Sequence, residues 1–77
     1  TQIKVFPNPP RGKIMLEIAG SNKNAHVSIF DMTGKTVYSK KQFGSSGQID
    51  LSRQPGGVYV MKVLIGDKVS EWEVVKQ

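Results

Sequence analysis

The segment that decides the fold reads Leu51-Ser52-Arg53-Gln54-Pro55-Gly56-Gly57-Val58-Tyr59-Val60-Met61-Lys62-Val63-Leu64-Ile65. Its first part predicts a tight corner, because proline restricts φ and the two glycines permit positive φ. The residues after the corner are mostly β-branched or aromatic, and such residues suit the pleated surface of a sheet. We therefore expect a long strand to begin after the Pro-Gly-Gly corner and the other strands to pair around it.

Tyr59 lies at the start of this predicted strand, shortly after Pro55. The arrangement matches the tyrosine corner of immunoglobulin-like sandwiches, in which the phenol hydroxyl donates a hydrogen bond to main chain a few residues upstream. The alternative is that Tyr59 is simply a large core residue. A buried tyrosine usually needs a partner for its hydroxyl in either case.

The rest of the chain alternates apolar and polar residues in short runs separated by glycine, proline and asparagine. Such runs predict strands over 3–6, 13–18, 25–31, 35–42, 48–51, the segment after the corner, and 68–76. Gly34 and the Gly66-Asp67 pair predict tight hairpins, and the proline-rich segment from Pro7 to Pro10 is expected to end the first strand.

Seven strands without a helix indicate an all-β fold, an immunoglobulin-like antiparallel β-sandwich. The predicted core consists of Ile14, Leu16, Val27, Ile29, Leu51, Tyr59, Met61, Val63 and Trp72.

Length and composition predict that residues 1–77 form a single small domain. Cysteine is absent, so no disulfide or thiolate metal site can stabilise the domain. No apolar run approaches the length that spans a bilayer, and the first residues lack a signal-peptide pattern. We expect a soluble chain whose export signal is elsewhere or is the domain itself.

The formal net charge of +5 raises the possibility of nucleic-acid binding. The lysines, however, occur singly or in pairs and mostly alternate with apolar residues, as the outward positions of strands do. A solvated basic face that protects sheet edges accounts for this distribution better. We therefore predict no nucleic-acid partner.

The sequence offers no constellation that would support catalysis. His26 is the only histidine, so a two-histidine zinc site cannot be assembled. A lone histidine on a strand is far more often a surface residue than a member of a Ser-His-Asp arrangement. Gly56-Gly57 lacks the pattern of a phosphate-binding loop, and Asp50 and Asp67 lack the spacing of a calcium loop. The sequence therefore predicts no enzyme, no cofactor and no catalytic, cofactor-binding or metal-binding residues.

Four pieces of sequence, taken in order, carry a resemblance to a known family: Phe6-Pro7-Asn8-Pro9; Val27 to Lys35; Ile49-Asp50-Leu51 followed by Pro55 to Val60; and Val74-Val75-Lys76-Gln77. Together they resemble the C-terminal sorting domain of type IX (Por) secretion system cargo, as in gingipain-type proteins of Bacteroidota. The resemblance covers nearly the whole chain.

The resemblance implies a domain fused to the end of a cargo protein that crosses the inner membrane by an ordinary signal peptide. It then implies recognition by the outer-membrane translocon and removal by a cell-surface sortase as the cargo is attached to lipopolysaccharide. The implied location is the periplasm in transit, and then the outer membrane, the cell surface or the medium. Family members commonly have a seven-stranded immunoglobulin-like fold.

The recognition-motif candidates follow by position. Pro7, Asn8 and Pro9 match the first motif, Gly57 and Tyr59 match the glycine-tyrosine motif, and Val74, Val75 and Lys76 match the terminal one. Lys76 and Gln77 are the favoured direct contacts, because polar residues at a chain end bury little. The family pattern differs at Glu71 and Glu73, where many relatives carry basic or hydroxyl residues, so charge alone does not explain recognition.

Each motif has an alternative structural explanation. In this alternative, Pro7-Asn8-Pro9 serves merely to turn the chain. Gly57 merely clears space at a corner, and Val74 merely fills the core. The alternative function is a structural or adhesive β-sandwich module that binds carbohydrate or a neighbouring protein. An exposed edge strand also leaves open a homodimer that forms edge to edge.

Overall fold

The computed structural model describes residues 2–8, 13–19 and 24–76, with main chain only for Pro7 and Asn8. The described residues contain seven strands and no helix: β1 Gln2–Asn8, β2 Lys13–Ala19, β3 Ala25–Phe30, β4 Thr36–Lys40, β5 Ser46–Asp50, β6 Gly57–Ile65 and β7 Lys68–Lys76. No helix long and apolar enough to cross a membrane occurs among them. The all-β prediction is therefore confirmed.

The strands form two antiparallel sheets that pack face to face. The smaller sheet has the order β1-β2-β5 and the larger sheet has the order β4-β3-β6-β7. In the constant-type immunoglobulin domain the fourth strand belongs to the four-stranded ABED sheet. Here β4 instead forms a hairpin with β3, so the two sheets contain three and four strands with the long strand β6 inside the larger one. The immunoglobulin-like sandwich is confirmed.

Strand β1 is longer than the sequence predicts. The first strand was expected to end at Phe6, but the ladder continues with Pro7 opposite Ile14 and Asn8 opposite Lys13. A proline is tolerated there because β1 lies at the edge of its sheet, where a missing N–H does not interrupt a second ladder. The prediction that Pro7 ends the strand is wrong. Pro9 and Pro10 lie outside the described residues.

Other strand ends also differ from the predicted ones. β3 ends at Phe30 rather than at Asp31, because Asp31 begins the turn to β4. β4 is limited to Thr36–Lys40, since the chain then leaves the larger sheet for the smaller one. β5 begins earlier than predicted, at Ser46, and ends before Leu51.

The core lies between the two sheets and follows the predicted alternation. In β2, every second residue is buried, and the same holds for β3 and for most of β6. The buried residues are Ile14, Leu16, Ile18, Ala25, Val27, Ile29, Phe43, Ile49, Leu51, Tyr59, Met61, Val63 and Val74. Eight of the nine predicted core residues are among them.

The ninth predicted core residue, Trp72, is only half-buried. It pairs with Met61 across the β6–β7 ladder and packs against the core from the side. Because β7 is the outermost strand of its sheet, the opposite sheet does not fully cover this position. The prediction that Trp72 is a fully buried core residue is therefore wrong, although its side chain does face the core.

Phe43 is a core residue that lies outside any strand. It sits on the connection that crosses from β4 to β5, and only 6% of its surface is exposed. The Phe43 N–H donates to Ala25 O at 3.0 Å in one sheet, while Ile18 N–H donates to Ser45 O at 2.7 Å in the other. A Cβ built on Gly47 would lie 2.9 Å from the Phe43 ring, so the ring rests directly on the main chain of β5.

The β3–β4 hairpin is closed by the side chain of Asp31. Its Oδ1 accepts hydrogen bonds from Thr33 Oγ1 at 2.6 Å, from Thr33 N at 2.9 Å and from Lys35 N at 3.0 Å. Gly34 has a φ of 91°, which confirms its predicted role in the turn. The hydrogen bond from the Thr33 hydroxyl, followed by those from main-chain N–H groups, holds the pKa of Asp31 below its usual value of 3.8.

The pKa of Asp50 is also lowered, mainly because its carboxylate accepts hydrogen bonds from Ser52. The lowered pKa values of Asp31 and Asp50 make the stability of the domain depend on pH. Since both pKa values are lower in the folded state, the stabilisation is complete above about pH 3.9 and is lost as the pH falls through the folded-state values. We expect an Asp31→Ala/Asp50→Ala variant to melt below the parent near neutral pH and to approach it in strong acid. Thermal melts across this range test the sign, and a constant difference would contradict it.

Candidate recognition site

The strand registers gather the recognition-motif candidates that the structure describes at one end of the sandwich. In the smaller sheet, Asn8 pairs with Lys13, which pairs with Asp50 at the end of β5. The corner at residues 51–56 carries the chain directly from Asp50 to Gly57, the first residue of β6. Gly57 pairs with Lys76, the last residue of β7. We call this end of the sandwich the corner end.

The glycine-tyrosine motif and the terminal motif are neighbours across one ladder. Gly57 lies opposite Lys76, Val58 opposite Val75, and Tyr59 opposite Val74. These residues are far apart along the chain, and the Gly66-Asp67 hairpin brings them into register. The sequence predicted the hairpin, and this pairing is its consequence.

The corner itself is held by Tyr59. Its hydroxyl donates a hydrogen bond to the carbonyl oxygen of Pro55, which is the tyrosine corner that the sequence predicts. Gln54 N donates to Leu51 O at 2.9 Å and closes the turn before it. Gly57 has a φ of 152°, and Gly56 is not among the residues with positive φ, so only one of the two glycines uses the freedom predicted for both.

Replacing Tyr59 by phenylalanine tests the corner. The ring stays in the core, but the Pro55 carbonyl loses its partner, and we expect a loss of about 1–3 kcal/mol in the free energy of unfolding. Tyr38→Phe is the matched control, because no hydrogen bond of the Tyr38 hydroxyl occurs among the described residues and the ring is only half-buried. Denaturant unfolding measures both. Equal stability of Tyr59→Phe and the parent would show that the hydroxyl bond contributes nothing.

Burial separates the candidates into scaffold and surface. Tyr59 and Val74 are buried between the sheets, whereas Val75 is 50% exposed and Gly57 is also exposed. Lys76 is half-buried, so the expectation that it buries little is too simple. Pro9 and Gln77 lie outside the described residues, and nothing further is described for the side chains of Pro7 and Asn8.

An apolar patch that the motifs did not reveal adjoins Val75 on the outer face of the larger sheet. Val58 faces Val75 directly, Val60 follows on β6, and Phe30 lies opposite Val60 on β3. Beside them is a shallow cavity of about 390 Å³ lined by Phe30, Asp31, Met32, Gly34, Val60 and Lys62. The alternation of β3 puts Phe30 on this face, and the register of β3, β6 and β7 puts Val60 and Val75 beside it.

The outer face of the larger sheet carries exposed charged groups beside its apolar patch. Partway along the outer face of the larger sheet, the exposed Lys62 lies 5.5 Å from the centre of the Phe30 ring and 3.6 Å from Glu71. No group of acidic residues or histidine that could hold a metal ion occurs among the described residues. The outer face can therefore offer main chain, apolar side chains and charges to a partner.

Comparison with known families agrees with these features. The family model described as the secretion system C-terminal sorting domain matches residues 4–77, which include the corner, both ladder-paired motifs and the hairpin between them. No curated protein matches the chain. The chain therefore belongs to the family of C-terminal sorting domains of type IX secretion.

Proposed function

We propose that this domain directs a fused N-terminal cargo protein from the periplasm through the outer-membrane translocon of the type IX system. A cell-surface sortase then removes the domain, and the cargo is attached to the surface or released. The family is one of sorting signals and not of enzymes, and membership implies export across the outer membrane. The steps of transit, cleavage and attachment are the proposed part.

One observation supports the proposal most directly. The two motifs nearest the end of the domain form a single surface, because Gly57 and Val58 pair with Lys76 and Val75. The buried members, Tyr59 and Val74, hold this surface in place. A receptor that contacts the corner end would therefore read main chain and side chains from both motifs at once.

A reporter fusion tests the proposal. The chain is joined to the C-terminus of a periplasmic reporter in cells that have a type IX system, and we expect the reporter to reach the cell surface or the medium. In cells without the translocon, the same fusion should stay in the periplasm. The unfused reporter is the control for leakage, and release that does not depend on the translocon would contradict the proposal.

The mass of the exported reporter tests the cleavage step separately. If a sortase removes the domain, the surface form should be smaller than the periplasmic form by about the mass of the domain, 8.5 kDa. Export of the uncleaved fusion would contradict the sortase step and leave the sorting step intact. If the reporter fusion instead stayed in the periplasm and the domain bound another surface protein tightly, the result would favour an adhesive module.

A further inference from the structure

The four edge strands of the sandwich differ in how well they are protected against pairing with another strand. β1 carries Pro7 and Lys4, β4 has five residues and a register shift at Ile29/Phe30, and β5 has five residues. Proline, lysine, bulges and short length are the usual means by which proteins block strand addition. These three edges are therefore poor templates for a partner strand.

The fourth edge, β7, lacks the proline, the register shift and the short length of the other edges, and the charged residues along its centre are the two glutamates Glu71 and Glu73. It has nine residues, its register with β6 is continuous from Lys68 to Lys76, and it contains no proline. Its lysines lie only at the two ends. Within the described part of the chain no strand covers its outer side. β7 is thus the longest regular edge that the described fold presents.

The two-residue turn at Gly66-Asp67 indicates which main-chain groups of β7 face outward. A turn of this kind is closed by a hydrogen bond between its flanking residues, here Ile65 and Lys68. Antiparallel ladders alternate between hydrogen-bonded and non-hydrogen-bonded pairs. The N–H and C=O groups directed away from β6 therefore belong to Val69, Glu71, Glu73 and Val75.

The same four residues direct their side chains to the outer face of the larger sheet. Val69 is 58% exposed and Val75 is 50% exposed, and the two glutamates lie between them. Glu71 is 3.6 Å from Lys62 on β6, whereas Glu73 lies opposite Val60. At alternate positions, the free edge therefore displays valine, glutamate, glutamate and valine.

This pattern disfavours a second copy of the chain as the occupant. Consider two copies whose β7 edges pair antiparallel with Glu71 of each copy opposite Glu73 of the other. Val69 of each copy then lies opposite Val75 of the other, and the pairing contains two Glu71–Glu73 contacts. Shifting the register by two residues places Glu71 opposite Glu71, or Glu73 opposite Glu73. Like charges directly opposite each other destabilise a strand pair. Every register with extensive overlap therefore contains opposed carboxylates.

We propose that the free edge of β7 binds an extended segment of a partner protein by antiparallel strand addition. The segment carries two basic residues at alternate positions, opposite Glu71 and Glu73, with apolar residues on either side. In this mode main-chain hydrogen bonds supply affinity and alternate side chains supply specificity. The inference rests on the proposed function only for the source of the partner, which would be the secretion machinery.

A designed peptide tests the binding mode directly with the 77-residue chain. Its nine residues place valine, lysine, lysine and valine at every second position, with threonine at the others. In nuclear magnetic resonance titrations at millimolar peptide, we expect slower amide exchange at Val69, Glu71, Glu73 and Val75. The amides of Ser70, Trp72 and Val74 should change little, since they already bond to β6. No change at the four outward amides would overturn the proposal.

Two control peptides and one variant separate strand addition from simple charge attraction. A peptide with glutamates in place of the lysines should bind at least about tenfold more weakly, because both cross-strand pairs become repulsive. A peptide whose two lysines are N-methylated on the main chain keeps its charge but should lose the amide protection. Glu73→Lys should weaken the lysine peptide by about fivefold and improve the glutamate peptide. Equal binding by all peptides would overturn the proposal.

The remaining outcomes concern the occupant and the biological role. Sedimentation of the chain alone should give a monomer, and a dimer that Glu73→Lys alters would overturn the proposal in favour of self-pairing.

In the reporter fusion, Glu73→Lys should reduce export while Glu17→Lys, on the outer face of β2, should not. Normal export of Glu73→Lys would overturn strand addition as the recognition step. Failure of the unmodified fusion would instead contradict the proposed function alone.

Discussion

Removal of Val75, Lys76 and Gln77 from a fused cargo is expected to leave nearly all of that cargo in the periplasm. The truncation deletes the last two described rungs of the β6–β7 ladder, where Val75 faces Val58 and Lys76 faces Gly57. It therefore removes one side of the surface that the two motifs form at the corner end. Cell fractionation, with the cargo probed in periplasm, outer membrane and medium, measures the result.

A folding defect is the competing explanation of that result. Val75 is half-exposed, so its loss would cost less than the roughly 1.5–3 kcal/mol of a fully buried aliphatic side chain. A Lys76→Ala/Gln77→Ala variant keeps both ladder rungs and should shift the melting temperature only slightly, although the half-buried Lys76 makes some effect expected.

The two variants together distinguish the explanations. Loss of export in both would indicate recognition of the terminal side chains. Loss only in the truncation would indicate that the completed strand is needed. Normal export of the truncated cargo would contradict the sorting role of the terminal motif and favour a structural or adhesive module.

Phe43→Ala is expected to destabilise the domain by about 3–5 kcal/mol, because it opens a cavity where the connection crosses between the sheets. A domain of this length has a total stability of only about 4–12 kcal/mol. Each kcal/mol corresponds to about 4–8 °C in melting temperature for a domain of this size. Thermal unfolding should therefore show a large decrease in the melting temperature. We expect part of the population to be unfolded at growth temperature.

Phe6→Ala is the matched control for Phe43→Ala. The substitution is the same, but the Phe6 side chain is 49% exposed on the outer face of an edge strand. Its removal should change the free energy of unfolding much less than removal of Phe43. Equal effects of the two substitutions would show that Phe43 does not hold the sheets together as described.

The features that the sequence determined by itself are local. The alternation of Ile14, Leu16 and Ile18 identified a strand and its buried face, because successive side chains of a strand point to opposite sides. Gly34, together with the Gly66-Asp67 pair, located the hairpins, since a tight turn needs residues that accept positive φ. The tyrosine corner was also predictable, because the Tyr59 hydroxyl bonds to Pro55 only four residues upstream.

The features that only the tertiary structure decided depend on contacts between distant residues. Phe43 shows no periodic pattern, and its burial follows from the crossing between sheets, which local sequence does not encode. Pro7 could remain in a strand only because β1 lies at an edge, and Trp72 is half-covered for the same reason. The candidate site likewise required the register of β6 against β7, since no local rule places Gly57 beside Lys76 or leaves the far side of Glu73 open to a partner.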